Sequence, residues 1–411
     1  MPTRATLPER YVKSYGTLVD DFDNTDWAFT QQGTAGSQEN QSTTHFLEGS
    51  SALKSVYPAA ETRNVHTLDL SASPRDYSDA NNFVLWFYID AAVLTFSVKL
   101  RFYDGAKWNA KTWSAANHFP EVGWNCLIFP WDDGTDPTTD RSTINTIDVR
   151  IEDVGDGDEA VNIWLDSIYY NVKVRPKLII SFDDAVVEHK DEAYDYMQPL
   201  GLVGSCSIPK DNVDSGATKL TSSDIDTMYA NGWEFVCHGV DNSDTVISYS
   251  GDMVAYVAMQ DESREFLRSS GWQGSENFIV WTGCGTTNEA IAAVTAAGFT
   301  GARRCETDTG DDSFATAGHP NNKGLIGYNP YALVGRIHNF GDTVADNTDY
   351  VDKLISSGTC GQLIFHAIDA GASTGNDITV TDFQAVIDHI ADKVSKGLID
   401  VVTFKQYTEG L

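Results

Sequence analysis

Two aspartates and two histidines stand where acid, base and metal-ligating chemistry could meet: Asp183, Asp184, His238 and His366. Each follows a short apolar run that is typical of a buried strand. Carboxylates and imidazoles form the set that metal-assisted hydrolysis needs, with a metal to acidify water, a base and an acid. Alone, the Asp pair would be typical of a turn or helix cap, and each histidine of a structural hydrogen-bonding group. Their shared position after strands favours a single site.

Alternating strands and helices must position these four residues. Strands are predicted at 177–182, 203–208, 233–237, 278–281, 363–365 and 399–404, and helices at 190–200, 222–231, 253–270, 288–297, 351–357 and 381–396. Alternation of this kind implies a parallel sheet, and functional residues collect at the C-terminal ends of its strands. We therefore predict an α/β domain closed as a barrel, with the four residues at one rim.

The preceding part of the chain has the pattern of an all-β domain. Alternating or apolar runs, separated by turns rich in Gly and Asp, occur at 83–88, 96–102, 125–129, 146–151 and 161–170. Short strands at such spacing predict a β-sandwich. The predicted organisation is a polar arm over residues 1–15, a sandwich over 16–172 and the α/β domain over 173–411.

Four segments of the α/β domain resemble the motifs of one enzyme family. They are Ser181-Phe182-Asp183-Asp184-Ala185, Gly232 to Asn242, Trp281-Thr282-Gly283-Cys284-Gly285 and Leu363-Ile364-Phe365-His366. Through them, the region from Lys177 to Tyr407 resembles the NodB-type polysaccharide deacetylases of carbohydrate esterase family 4, which have a distorted (β/α) barrel. The resemblance implies a metal-dependent hydrolase that removes acetyl groups, mainly N-acetyl, from a polysaccharide.

The resemblance also implies a role for each matching residue. Asp183 would be the general base and His366 the general acid that protonates the leaving amine. Asp184, His238 and Asn242 would bind a divalent metal. That metal would be Zn²⁺, with Co²⁺ or Ni²⁺ as alternatives.

Two of the motifs depart from the family pattern. Asn242 stands in place of a histidine, and its amide oxygen binds zinc less well than imidazole, so Asp241 and Asp244 are alternative third ligands. The third motif lacks the arginine that orients the catalytic aspartate. The candidates to orient Asp183 or to contact substrate in its place are Arg303, Arg304, Arg336 and Trp281. These departures leave open a catalytically weak or inactive protein that binds glycans, mediates adhesion or builds a virus particle.

The N-terminal domain resembles the jelly-roll carbohydrate-binding modules. The segments that carry this resemblance are Asp21-Phe22-Asp23 with Trp27, Glu48 to Lys54, Gly123-Trp124 and Ile163 to Ile168. The resemblance implies the fold more than sugar binding. Exposed aromatic rings could stack on the apolar faces of sugars, with Trp108, Trp113 and Trp131 as candidates, although each could instead be a packing residue. Asp166 with Glu48 could hold a structural Ca²⁺, because hard cations prefer carboxylates.

Composition limits the partners of this protein. The 411 residues carry a formal net charge of −31, which repels nucleic acids and anionic membranes and favours adaptation to high salt over an ordinary acidic secreted protein. No run of about 20 apolar residues predicts a membrane span, and no signal peptide is visible. We expect an extracellular or virion-surface location, as in a tail fibre or spike. The expected partners are an acetylated surface glycan, other virion proteins and further copies of the chain.

The six cysteines form no CxxC pair, which favours mostly buried free thiols and leaves disulfides open.

Overall fold

The structure is a computed structural model. It describes residues 16–32, 36–58, 63–93, 95–115, 122–153, 160–172, 176–249, 251–305, 330–339, 341–358, 360–369, 371 and 375–409. The chain forms two compact units, and the boundary between them falls between Val174 and Arg175. Within the described ranges, no helix is long and apolar enough to cross a membrane.

The N-terminal unit consists of antiparallel strands in two sheets. Its strands are β1 (Thr17–Asp20), β2 (Trp27–Gln32), β3 (Ser37–Ser42), β4 (Ala52–Tyr57), β5 (Arg63–Asp69), β6 (Asn82–Ile89), β7 (Phe96–Tyr103), β8 (Trp108–Ser114), β9 (Gly123–Pro130), β10 (Thr146–Asp153) and β11 (Val161–Tyr170). One sheet has the order β3-β4-β11-β6-β9, with β1 paired to β11, and the other has the order β2-β5-β10-β7-β8. Inward side chains of both sheets, such as Leu85 and Leu100, share one buried core.

The prediction of an all-β N-terminal domain is confirmed, and all five predicted runs lie within strands. The strands that the sequence pattern missed include β2, β3 and β8, which lie at sheet edges. The sequence of β3, Ser37–Ser42, is entirely polar. An edge strand buries little of its surface, so its sequence shows no clear alternation of apolar residues.

The C-terminal unit alternates strands with helices. Its strands are β12 (Lys177–Phe182), β13 (Ser205–Ile208), β14 (Glu234–Cys237), β15 (Phe278–Val280), β16 (Gly301–Cys305), β17 (Leu333–Ile337), β18 (Cys360–Phe365) and β19 (Asp400–Val401). Its helices are α1 (Asp195–Met197), α2 (Ser222–Ala230), α3 (Met253–Ser269), α4 (Asn288–Ala296), α5 (Val344–Ser357), α6 (Val380–Ser395) and α7 (Phe404–Glu409). A π-helical segment, His189–Tyr194, leads into α1, and a 3₁₀ turn, Gln198–Leu200, follows it.

The parallel strands close into a barrel. The order β13-β14-β15-β16-β17-β18-β12 returns to its start because β12 also pairs with β13, at Ser181 and Ser205. At its other end β12 pairs with β19, at Lys177 and Asp400, so two strands share one side of β12. The predicted closed α/β barrel, with seven strands in its wall, is confirmed.

Several elements of the C-terminal unit differ from the prediction, including the helix predicted at 351–357, which begins at Val344. The sequence pattern missed β16 and β17, because Gly and Arg interrupt their apolar runs (GARRC and LVGRI). The predicted strand at 399–404 was wrong in its second half. Only Asp400–Val401 is a strand, and Phe404 begins α7.

A buried carboxylate joins several elements where β14 begins. Glu234 Oε2 accepts hydrogen bonds from Ser205 Oγ (2.6 Å) and Phe404 N (2.8 Å), and its Oε1 accepts from Lys405 N (2.8 Å) and Ser275 Oγ. The carboxylate therefore links β13, β14, the loop before β15 and the start of α7.

Replacing this carboxylate is expected to destabilise the barrel. Glu234→Ala leaves two backbone N–H groups and two hydroxyls without their acceptor, which should lower the free energy of unfolding by about 3–5 kcal/mol. Urea unfolding followed by tryptophan fluorescence measures the effect. Glu265→Ala, at a side chain that is 66% exposed, is the control and should change little. Equal midpoints for Glu234→Ala and the wild type would contradict the assignment.

Candidate active site

The candidate site begins at the turn after β12. Asp183 N donates to Phe365 O (3.0 Å), which extends the pairing of β12 with β18 by one residue. The next two residues, Asp184 and Ala185, have φ angles of 76° and 52°. This left-handed conformation costs a non-glycine residue roughly 1–2 kcal/mol. The sharp turn that results points the two adjacent carboxylates in different directions.

Asp183 is held by a buried arginine and a serine. Its side chain accepts hydrogen bonds from Arg303 Nη2 (2.6 Å to Oδ2) and Ser207 Oγ (2.8 Å to Oδ1). His366 Nε2 lies 3.8 Å from Oδ2. Burial by itself would raise the pKa of Asp183, but the charges of Arg303, His366 and His238 outweigh it and hold this pKa well below its usual range. Asp183 is therefore ionised at neutral pH.

Asp184 faces His238, which ends β14. His238 Nδ1 lies 2.9 Å from Val280 O, and a carbonyl can only accept, so Nδ1 carries the proton. The other ring nitrogen, Nε2, lies 3.7 Å from Asp184 Oδ1. Burial disfavours the charged imidazole, but Asp184 and Asp183 reverse this and raise the pKa of His238 above 6.5.

The pair formed by Asp184 and His238 fits a divalent metal. Two ligands at 2.0–2.2 Å from a tetrahedral metal lie about 3.4 Å apart, close to the 3.7 Å between these donor atoms. The bond from His238 to Val280 is the kind of outer-shell contact that fixes a ligating imidazole. These two side chains could therefore serve as two ligands of a divalent metal.

The two alternative candidates for a third ligand, Asp244 and Asp241, make hydrogen bonds within their own loop. Asp244 Oδ2 accepts from Val240 N (2.8 Å) and Asp241 N (2.9 Å), and its Oδ1 accepts from Tyr249 OH. Asp241 accepts from Ser243. Within the described ranges, no three His, Cys, Asp or Glu side chains form a group that could hold a metal. Both aspartates thus hold their own loop together, and their role as alternative third ligands stays a prediction.

Asn242 remains as the third candidate ligand. Its Oδ1 accepts from Asn212 Nδ2 at 3.3 Å. The same Asn212 nitrogen donates to the backbone carbonyl of Asp184 at 3.0 Å. Sequence reasoning did not identify Asn212, because an asparagine in a polar loop has no distinguishing pattern.

His366 ends β18 on the other side of Asp183. Its side chain is 22% exposed, so it can reach a bound substrate. Its backbone carbonyl accepts a hydrogen bond from His189 Nε2 (2.9 Å). His189 is fully buried, and burial lowers its pKa to about 4, so it is neutral. Neither His189 nor Ser207 was predicted, although the inward alternation of Ser205 and Ser207 along β13 was a signal for the serine.

Of the three candidate arginines, Arg303 is the one that pairs with Asp183. Arg304 is the next residue along β16, so its side chain leaves the opposite face of the strand. Arg336 donates to Asp342 (3.0 Å). The prediction that Trp281 contacts substrate or orients the aspartate was wrong. Its ring is 1% exposed and its indole nitrogen donates to Tyr331 O.

A disulfide joins the third motif to the strand that carries Arg303. Cys284, in the turn after β15, is bonded to Cys305 at the end of β16. The other four cysteines, Cys126, Cys206, Cys237 and Cys360, are free. The prediction of mostly free thiols is confirmed, and the pairing that the sequence left open is now assigned.

The three candidate sugar-stacking tryptophans have different environments. Trp131 is 1% exposed and packs against Phe129, so its predicted stacking role was wrong. Trp108 is 41% exposed, and the Arg101 guanidinium lies 5.9 Å from its ring. The side chain of Trp113 lies outside the described part of the chain. Stacking on Trp108 stays a prediction.

The candidate calcium ligands are Asp166, within β11, and Glu48, in the loop before β4, and the backbone of Glu48 donates to Asp166. Asp166 is fully buried and accepts from Leu47 N, Glu48 N and Ser167 Oγ. Glu48 Oε2 accepts from Tyr169 OH at 2.9 Å. Burial raises the pKa of Asp166 to about 7. Calcium at this site stays a prediction.

We expect Asp166 to make the N-terminal unit less stable as the pH rises. Its folded pKa of about 7 exceeds its unfolded value of about 3.9, so the native state binds the extra proton and loses stability between these values. Asp166→Asn should remove this loss, by about 2–4 kcal/mol at pH 7.5 without calcium. Thermal unfolding of both proteins at pH 4 and pH 7.5 measures this loss. If the stability difference between wild type and variant were the same at both pH values, the pKa assigned to Asp166 would be wrong. If Ca²⁺ binds, it should raise the unfolding temperature of the wild type alone.

No protein-family model and no curated protein matches the sequence. The fold is similar to solved structures at low identity. One is a family 4 acetyl xylan esterase from Clostridium thermocellum with a cobalt ion, at 13% identity and a TM-score of 0.37, covering 57% of this chain and 90% of that one. The deacetylase PplD from Streptococcus pyogenes has 15% identity and a TM-score of 0.28, covering 31% of this chain. The present chain spans about half of that protein, 54% of its length.

The N-terminal unit has a separate match. It is a family 11 carbohydrate-binding module from Clostridium thermocellum in complex with a mixed-linked tetrasaccharide, at 10% identity and a TM-score of 0.28. The match covers 38% of this chain and 95% of that one. Similarities of this size do not establish a shared family.

Proposed function

We propose that the C-terminal unit is a metal-dependent hydrolase that removes acetyl groups, mainly N-acetyl, from a cell-surface polysaccharide. The observation that carries the proposal is that two carboxylate–histidine pairs, Asp184 with His238 and Asp183 with His366, meet at the C-terminal ends of β12, β14 and β18. A site of this composition suits hydrolysis of an amide or ester.

The metal would be held by Asp184, His238 and Asn242. When bound, a divalent ion such as Zn²⁺ acidifies water and polarises an acyl carbonyl. The fixed tautomer of His238 keeps Nε2 available for the ion. Asn242 offers a neutral oxygen, which leaves the site less anionic than one with a third carboxylate.

The remaining residues would handle protons. Asp183, fixed by Arg303 and Ser207, accepts a proton from the attacking water. His366 would donate a proton from its ring to the departing amine, and its Nε2 lies 3.8 Å from Asp183 Oδ2. Arg303 is buried, with 1% of its surface exposed, and its hydrogen bond fixes the orientation of the Asp183 carboxylate.

The unusual third ligand favours a second candidate function. A protein that keeps this scaffold to bind acetylated glycans, without hydrolysing them, would tolerate Asn242 in place of histidine. The exposed ring of Trp108 offers a sugar-stacking surface for either function.

Metal content and acetate release separate the two functions. Purified protein is analysed for bound metal and incubated with acetylated glucosamine polymers and acetylated xylan. We expect acetate release that chelation abolishes and that added Zn²⁺ or Co²⁺ restores. No bound metal, and no acetate after metal addition, would refute the enzyme. Glycan binding that then weakens on Trp108→Ala would support the binding protein.

A further inference from the structure

Two side chains donate to a single backbone oxygen, the carbonyl of Asp184. Lys219 Nζ lies 2.9 Å and Asn212 Nδ2 lies 3.0 Å from it. Both donors belong to the segment between β13 and α2, whereas the carbonyl belongs to the turn after β12. The backbone joins the same two segments, since Leu220 N donates to Ala185 O at 2.9 Å.

This turn needs such support because of its conformation. Asp184 and Ala185 both have left-handed φ angles, 76° and 52°, and neither is a glycine. Fixing the carbonyl of Asp184 fixes the peptide that follows it, and thereby the direction in which its carboxylate leaves the backbone. The two donors therefore act on the residue that faces His238.

Asn212 also contacts Asn242, a contact that Lys219 does not make within the described residues. Its Nδ2 also donates to Asn242 Oδ1 at 3.3 Å. An amide oxygen has two lone pairs, so Asn242 keeps one for a metal. Asn212 thus connects candidate ligands from two loops, one after β12 and one after β14.

We propose that Asn212 is a positioning residue of the metal site, which sets the orientation of Asp184 and Asn242 together, with Lys219 as a second support of Asp184. The inference rests on the proposed function. Outer-shell partners of metal ligands typically contribute 10–100-fold to metal affinity. Through these contacts, the single side chain of Asn212 provides part of the rigidity that a third charged or imidazole ligand would give the site.

The test is the affinity of the intact chain for Co²⁺ and Zn²⁺, measured by competition with a chromophoric chelator. We expect Asn212→Ala to weaken binding about 10–100-fold and to change the visible absorption spectrum of bound Co²⁺. Asn231→Ala is the matched control, because Asn231 Nδ2 also donates to a backbone carbonyl, that of Thr227, but at the end of α2. It should leave both readouts unchanged.

Two further measurements keep the outcomes distinct. If Asn212→Ala unfolds, Lys219→Met tests the same carbonyl and should also weaken binding. Wild-type affinity and an unchanged Co²⁺ spectrum in Asn212→Ala would overturn the positioning role while leaving the enzyme in place. A wild-type chain that binds neither metal would instead overturn the proposed function, and the inference with it.

Discussion

Asp183→Asn is expected to slow acetate release by about 10²- to 10⁴-fold and to leave metal bound. Asparagine keeps the size of the side chain and an oxygen for Arg303 and Ser207, but it cannot accept a proton. Because Asp184 and His238 are untouched, metal content and Co²⁺ affinity should stay close to those of the wild type.

The low pKa of Asp183 makes the size of this effect informative. Arg303 holds the pKa of Asp183 well below its usual range, so Asp183 is ionised at neutral pH but is a weak base. A loss near 10⁴-fold would show that proton transfer to Asp183 is essential. A loss near 10²-fold would indicate that the negative charge of Asp183 acts mainly by electrostatic stabilisation of the site.

The control for this variant is a surface aspartate. Asp195 is 53% exposed and pairs with Lys190, so Asp195→Asn should keep full activity. If Asp183→Asn also kept full activity, the role of Asp183 as base would be wrong. Steady-state rates and metal content of all three proteins decide between these results.

Arg303→Met is expected to lower the free energy of unfolding by about 3–5 kcal/mol. Arg303 is 1% exposed and Asp183 is 4% exposed, so removal of the guanidinium leaves a buried carboxylate without its main partner. Burial then dominates and raises the pKa of Asp183. Urea unfolding at pH 7 measures the loss of stability.

The pH dependence of this variant follows from the sign of the shift. In the wild type the lowered pKa of Asp183 stabilises the fold above the unfolded pKa of about 3.9, and this contribution disappears as the pH falls towards the folded value. Arg303→Met loses this contribution, and its raised Asp183 pKa adds a cost of ionising the buried carboxylate at neutral pH. Protonation removes that added cost as the pH falls, so the deficit should be largest at neutral pH and smaller at pH 4. The acid limb of its pH–rate profile should move to higher pH.

A double variant tests whether the two residues act as a pair. Asp183→Asn with Arg303→Met removes the uncompensated charge, so it should be more stable than Arg303→Met alone. Arg304→Met, from the opposite face of β16, is the control for loss of an arginine. Equal stability of Arg303→Met and the wild type would show that the ion pair does not hold the site together.

Local patterns were enough to place the main chemical groups. Asp183, Asp184, His238 and His366 follow apolar runs, and alternation of strands and helices brings the ends of parallel strands to one rim. The two-unit organisation and the closed barrel could be predicted for the same reason. Strands and helices that bury one face carry apolar residues at the spacing of that element. Edge strand β3 and the arginine-bearing β16 escaped prediction, because their positions do not impose an apolar pattern.

The sequence by itself determined which residue types stand at the ends of β12, β14 and β18. Only the tertiary structure decided their partners. Arg303 and Asp183 are 120 positions apart in the sequence. Arg303 could therefore be chosen over Arg336 as the partner of Asp183 only after barrel closure placed β16 opposite Asp183. Likewise, the contacts of Asn212 with Asp184 and Asn242 join two loops that are far apart in the sequence. These contacts depend on distances between segments remote in sequence, which no local pattern encodes.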